Sequence, residues 1–133
     1  GQLGGLASLA GIRLGTTDKV EPLAILKSRD FAESFIEQYG LMPVLFPDHW
    51  DATTRTWRTD AGEVPDIRDA IYVFDRKVRR VTEDRKTGLV TLRVEWKDPA
   101  LAARWANDMA REINRQTRER ALKTANANIA YLR

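Results

Sequence analysis

The clearest pattern in the chain is an alternation. Val90, Leu92, Val94 and Trp96 interleave with Leu89, Thr91, Arg93 and Glu95. A period of two puts one set on a buried face and the other on a mostly wet one, as a strand requires. Lys86–Thr87–Gly88 supplies a turn ahead of it, so residues 79–97 read as a β-hairpin. Two strands alone are marginal in water. At least one more strand is therefore expected, for which residues ahead of Gly1 are one place.

Elsewhere the spacing is helical. Leu23, Ile25, Leu26, Phe31, Phe35, Ile36 and Tyr39 recur at helical intervals between residues 21 and 40. Pro22 suits a first turn, Ser28 can cap a second helix, and Gly40 is a natural stop. The pattern predicts two helices with a bend. Ile67, Ala70, Ile71, Phe74 and Val78 line one face of a further helix over residues 66–78, capped by Asp66. Between them, residues 41–65 carry Pro43, Pro47 and Pro65 together with His49, Trp50 and Trp57. They read as a long aromatic connection, a kind of loop often tied to function. Residues 1–19 hold five glycines among leucines and alanines, and read as a small-residue loop or short turns. The GxxxG spacings at Gly1–Gly5 and Gly11–Gly15 lack the apolar segment that would make them a helix-pairing motif.

Residues 98–133 read as one helix. Asp98 takes the N-cap, Pro99 the first helical position, and no Gly or Pro follows. At about 1.5 Å per residue it reaches roughly 54 Å, more than one small core can cover. Leu101, Ala102, Trp105, Ala106, Met109 and Ile113 share one face. The later apolar residues, Leu122, Ala125, Ile129 and Leu132, lie more than about 100° around the helix from it. A straight helix cannot bury both faces against one core. The second half is expected to project, with Leu122, Ala125, Ile129 and Leu132 as the candidate contact between copies of the chain.

Composition narrows the chemistry. At 133 residues, 43% hydrophobic and 31% charged, the chain suits one folded domain, residues 1–133. The net charge is +3, and the excess lies in the last helix, where seven basic residues face four acidic ones. Arg104, Arg111, Arg115 and Arg118 form a basic stripe there. Its simplest reading is a solvated face with partners such as Glu119. Interchain ion pairs or an anionic polymer are the alternatives. Nucleic acid is not expected, because no stacking platform accompanies the stripe. With no cysteine, disulfides and thiolate chemistry are excluded. GxSxG, P-loop, GxGxxG, HExxH and EF-hand patterns are lacking, and His49 is the one histidine. Asp48, His49 and Asp51 cluster in the long loop and could ligate a metal, but their spacing is a weak signal for one. Trp50 and Trp57 read first as packing residues and second as a sugar platform. The expectation is a protein that is not an enzyme, with no catalytic residue, cofactor or metal.

Four stretches carry a resemblance: GQLGGLASLAGI, LAILKSRDFAESFI, LMPVLFPDHWD with Trp57 after it, and EDRKTGLVTLRVEWKDPALAARWAND from Glu83 to Asp108. Together they are similar to the Wzz-type chain-length determinants, also called polysaccharide co-polymerases. They lie in order along the chain between Gly1 and Asp108. The Lys86–Val90 turn and the Trp96–Pro99 strand-to-helix junction are the most specific parts.

The resemblance implies a periplasmic domain between two membrane helices of the bacterial inner membrane, with the chain a fragment lacking those helices and a first strand. It implies an oligomeric, ring-like scaffold working with a polysaccharide polymerase and its nascent polysaccharide. That scaffold sets the length of O-antigen, capsule or exopolysaccharide. It transfers no catalytic residue. The same resemblance admits the sensor half of a bacterial tyrosine autokinase controlling exopolysaccharide export; an anionic-polymer-binding module is the other alternative. The fold expected is α+β: a small antiparallel-rich sheet packed with helices, plus one long C-terminal helix extending from the domain.

Overall fold

The computed structural model describes the backbone of residues 12–14 and 20–132, and side-chain surroundings for residues 22–126. The fold is α+β, as expected. The GxxxG spacings at Gly1–Gly5 and Gly11–Gly15 lie outside the described residues.

The hairpin forms where the alternation puts it. Strands β4 (Arg79–Glu83) and β5 (Val90–Val94) pair antiparallel, with Val81 opposite Leu92. Gly88, at φ 75°, supplies the left-handed turn conformation that glycine adopts without strain. Val90, Leu92 and Val94 are buried. On the outer face Arg80 and Arg93 stand opposite each other, and Glu95 offsets their repulsion with contacts of 3.4 and 3.6 Å.

The third strand comes from within the chain. β1 (Ile12–Leu14) pairs antiparallel with β5, Ile12 opposite Leu92. The sheet order is β1-β5-β4, which places the most apolar strand in the middle. Residues 12–14 are thus a strand inside a stretch that was expected to be a loop or short turns. Three residues are too few for an alternation to stand out.

Helices α1 (Val20–Lys27) and α2 (Arg29–Gln38) meet at the expected bend. Ser28 makes both ends. Its hydroxyl donates to the Ile25 carbonyl at 2.8 Å and accepts from the Phe31 N–H at 3.0 Å. Helix α2 stops at Gly40, φ 60°. There the Gly40 N–H donates to the Glu37 carbonyl and the Leu41 N–H to the Ile36 carbonyl, a double closure of the last turn.

The connection after Gly40 is more structured than its prolines suggest. It holds a single turn α3 (Met42–Leu45), a 3₁₀ turn at Pro47–His49, and a two-residue hairpin of β2 (Trp50–Asp51) and β3 (Thr56–Trp57). Helix α4 (Ile67–Val73) opens on Asp66. The Asp69 N–H donates to the Asp66 carboxylate and the Asp66 N–H to the Asp69 carboxylate, both at 3.0 Å. The expected helix over 66–78 runs on only as a π-turn, Phe74–Val78. Its wider i→i+5 closure keeps both Phe74 and Val78 in the core and ends where the Arg79 N–H donates to the Phe74 carbonyl.

Helix α5 (Pro99–Leu132) follows a cap in which the Asp98 carboxylate accepts from the N–H groups of Ala100 and Leu101. It packs on β5, β1 and α1. Ala102, Trp105, Ala106, Met109 and Ile113 are buried and join Phe31, Phe35, Ile36, Phe74, Leu92 and Val94 in one core cluster. Trp105 lies against Trp96 with ring centroids 5.5 Å apart.

Candidate functional site

The outer length of α5 is the first surface to consider. Among the described residues Ile113 is the last of the helix in the core, and every described side chain from Arg118 to Asn126 is exposed. Leu122 is 58% exposed, and Ala125 is exposed as well. The helix backbone continues through Leu132, while the side chains of Ile129 and Leu132 lie outside the described residues. From Arg118 to Leu132 the helix runs about 20 Å. The expected projection is present, and it starts where the core-facing apolar stripe ends.

The basic stripe occupies the same turn-by-turn direction on the inner half of the helix. Arg104, Arg111, Arg115 and Arg118 are all exposed. Arg111 pairs with Asp108, and Arg115 pairs with Glu112 and, at 2.7 Å, with Glu119. The first reading of the stripe, a solvated face with local partners, describes these two residues. Asp108 and Glu112 are themselves buried, on the flank between the stripe and the core. The hydrogen bonds from Arg115 hold the Glu112 carboxyl below its usual range, and Glu112 in turn raises the Arg115 guanidinium. Half of the stripe therefore neutralises carboxylates of its own helix. That weakens its reading as a track for an anionic polymer. Among the described residues, Arg104 and Arg118 make no ion pair.

The second surface is the loop around His49. The His49 ring is half-buried and meets Phe46 edge-on at 6.3 Å. It sits in an open groove with Glu63, Pro65, Asp69 and Tyr72. Asp51 turns away to a different task. Its carboxylate accepts from the N–H groups of Thr53 and Thr54 at 2.9 and 3.2 Å. The Thr54 N–H first and the Thr53 N–H second hold this carboxyl below its ordinary range. Asp48, His49 and Asp51 are thus not assembled into one centre. Among the described residues, no group of three His, Asp or Glu is placed to hold a metal ion.

Next to it, the β2–β3 hairpin pairs Trp50 with Trp57 across the strands. Their rings meet at 5.0 Å and 75°. Neither belongs to the core cluster or to the residues packed against it. The indoles pack on each other outside that core.

One structural residue had no sequence signal. The Arg79 side chain is 3% exposed. It donates to the carbonyls of Leu26 at 2.6 Å and Ser28 at 3.0 Å, pairs with Asp75, and lies 5.1 Å from the Phe74 ring centroid. A cation at the carboxyl end of α1 satisfies carbonyls that the helix leaves open. Asp108 and Glu112 did carry a signal, the i, i+3 spacing to Arg111 and Arg115.

No protein-family model, curated protein or solved structure matches the chain. No described helix is long and apolar enough to cross a membrane.

Proposed function

We propose that this chain is the extracytoplasmic domain of a membrane-anchored, oligomeric regulator of surface polysaccharide chain length, and that it acts by assembly and not by catalysis. The observation that carries the reading is α5. Its inner half is held by the core through Ile113, and its outer part leaves that core with Leu122 uncovered. A helix that keeps its length and exposes apolar side chains beyond its own domain is built to meet another surface. A second copy of the chain is the simplest partner. The four segments that resemble chain-length determinants give that assembly its task. The α+β fold with a long projecting helix is the architecture that resemblance implies.

The buried charges support a structural role. Arg79, Asp108 and Glu112 are each engaged in an ion pair, and among the described residues no buried polar side-chain atom lacks a partner.

Leu122→Glu and Ile129→Glu test the reading in the full-length parent protein. Each adds a carboxylate to the outer length of α5, beyond Ile113. Cross-linking in intact membranes is expected to lose its higher-order species in both variants. For Leu122→Glu, at an exposed side chain, the stability of the domain is expected to stay within the range of an ordinary surface substitution, about 0.5 kcal/mol. Unchanged cross-linking would remove this face from the assembly.

A further inference from the structure

We propose that the β2–β3 hairpin is a saccharide-binding site whose ligand is a neutral hexopyranose segment of a glycan chain. It deepens the reading above and rests on it for the identity of the glycan. The floor of the site is the indole pair of Trp50 and Trp57. Two half-buried indoles at 75° form an apolar corner, and the core does not use them. A pyranose ring offers the matching shape. Its axial C–H groups form an apolar, slightly positive face that rests on the electron-rich face of an aromatic ring.

The rim supplies what the hydroxyl edge of a sugar needs. Asp51, Thr56, Arg58 and Asp60 line a concavity of about 620 Å³ with the two indoles. That volume is within the usual range for a small-molecule site. Vicinal hydroxyls both donate and accept, and the rim presents carboxylates beside a guanidinium and a threonine hydroxyl. The groups are already oriented. Arg58 donates to both oxygens of Asp60 at 3.1 and 3.0 Å, and Asp51 is held by its two backbone N–H bonds. Two carboxylates against one guanidinium leave the rim slightly negative. That balance favours a neutral sugar over a polyuronide.

The experiment follows the indole N–H signals of the chain by NMR during titration with cellohexaose and mannohexaose, with hexagalacturonate as the acidic counterpart. At least one neutral hexamer is expected to shift the Trp50 and Trp57 signals and leave those of Trp96 and Trp105 in place. Hexagalacturonate is expected to bind at least about tenfold more weakly. Because Trp57→Ala removes half of the hairpin's own contact, the decisive variant is Arg58→Ala. It is expected to weaken binding about tenfold while the signals of the hairpin keep their positions.

No shift with either neutral hexamer overturns the proposal. So does stronger binding of the polyuronide, or binding unchanged in Arg58→Ala. The outcome separates from the assembly reading. Saccharide binding by a chain whose parent does not affect polysaccharide length would sink that reading and keep the site. A length effect without binding would do the reverse.

Discussion

Trp105→Ala is expected to lower the free energy of unfolding by about 3–5 kcal/mol. Trp105 is 2% exposed and heads the fully buried side chains by volume. It sits where α5 crosses β5, against Trp96, on the same face as Ala102 and Met109. Truncation there removes the largest single area that the long helix buries and leaves a cavity that β5 cannot close. A domain of this size has about 5–15 kcal/mol of stability in all, so the variant should lie near the edge of folding. A urea titration would show the midpoint fall with the slope unchanged. Arg104→Ala, one residue away and exposed, should stay within about 0.5 kcal/mol. A shift below about 1 kcal/mol for Trp105→Ala would mean that α5 is not anchored by this face.

Arg79→Met should cost about 2–3 kcal/mol. Methionine replaces the buried stem but not the guanidinium that bonds the Leu26 and Ser28 carbonyls. The Leu26 carbonyl then lies at a buried helix end without its donor, while the Ser28 carbonyl keeps only the Ala32 N–H at 3.3 Å. Asp75→Ala is the informative partner. Its carboxylate is 51% exposed, so its ion pair with Arg79 is screened by solvent. Its loss should cost under about 1 kcal/mol. A large difference between the two variants identifies Arg79 as the clamp on the α1–α2 bend. Equal costs would show instead that the ion pair holds the bend together. Chemical denaturation of both proteins at neutral pH decides between these accounts.

What the sequence makes legible here is what is local and periodic. The β5 alternation, the core stripe of α5, and the caps at Ser28, Asp66 and Asp98 all signal within a few residues, and each forms as read. What it hides is short or long-range. β1 has three residues, and β2 and β3 have two each, so no period can establish itself. The π-turn at Phe74–Val78 keeps the helical spacing of its apolar residues and changes only the hydrogen bonding. Arg79 reaches carbonyls more than fifty residues away, a contact that no pattern announces. The candidate surfaces divide the same way. The change of face on α5 can be read from spacing alone. The engagement of Arg111 and Arg115 by buried Asp108 and Glu112 needed the fold to show which flank is covered. The freedom of Trp50 and Trp57 from the core likewise became visible only once the core was drawn.

The most direct test is deletion of the parent gene, followed by electrophoresis of the cell's surface polysaccharide with and without complementation. The account predicts that a defined length cluster disappears from the ladder on deletion and returns with the intact gene. An unchanged ladder, with the other surface polymers also unaffected, would contradict it.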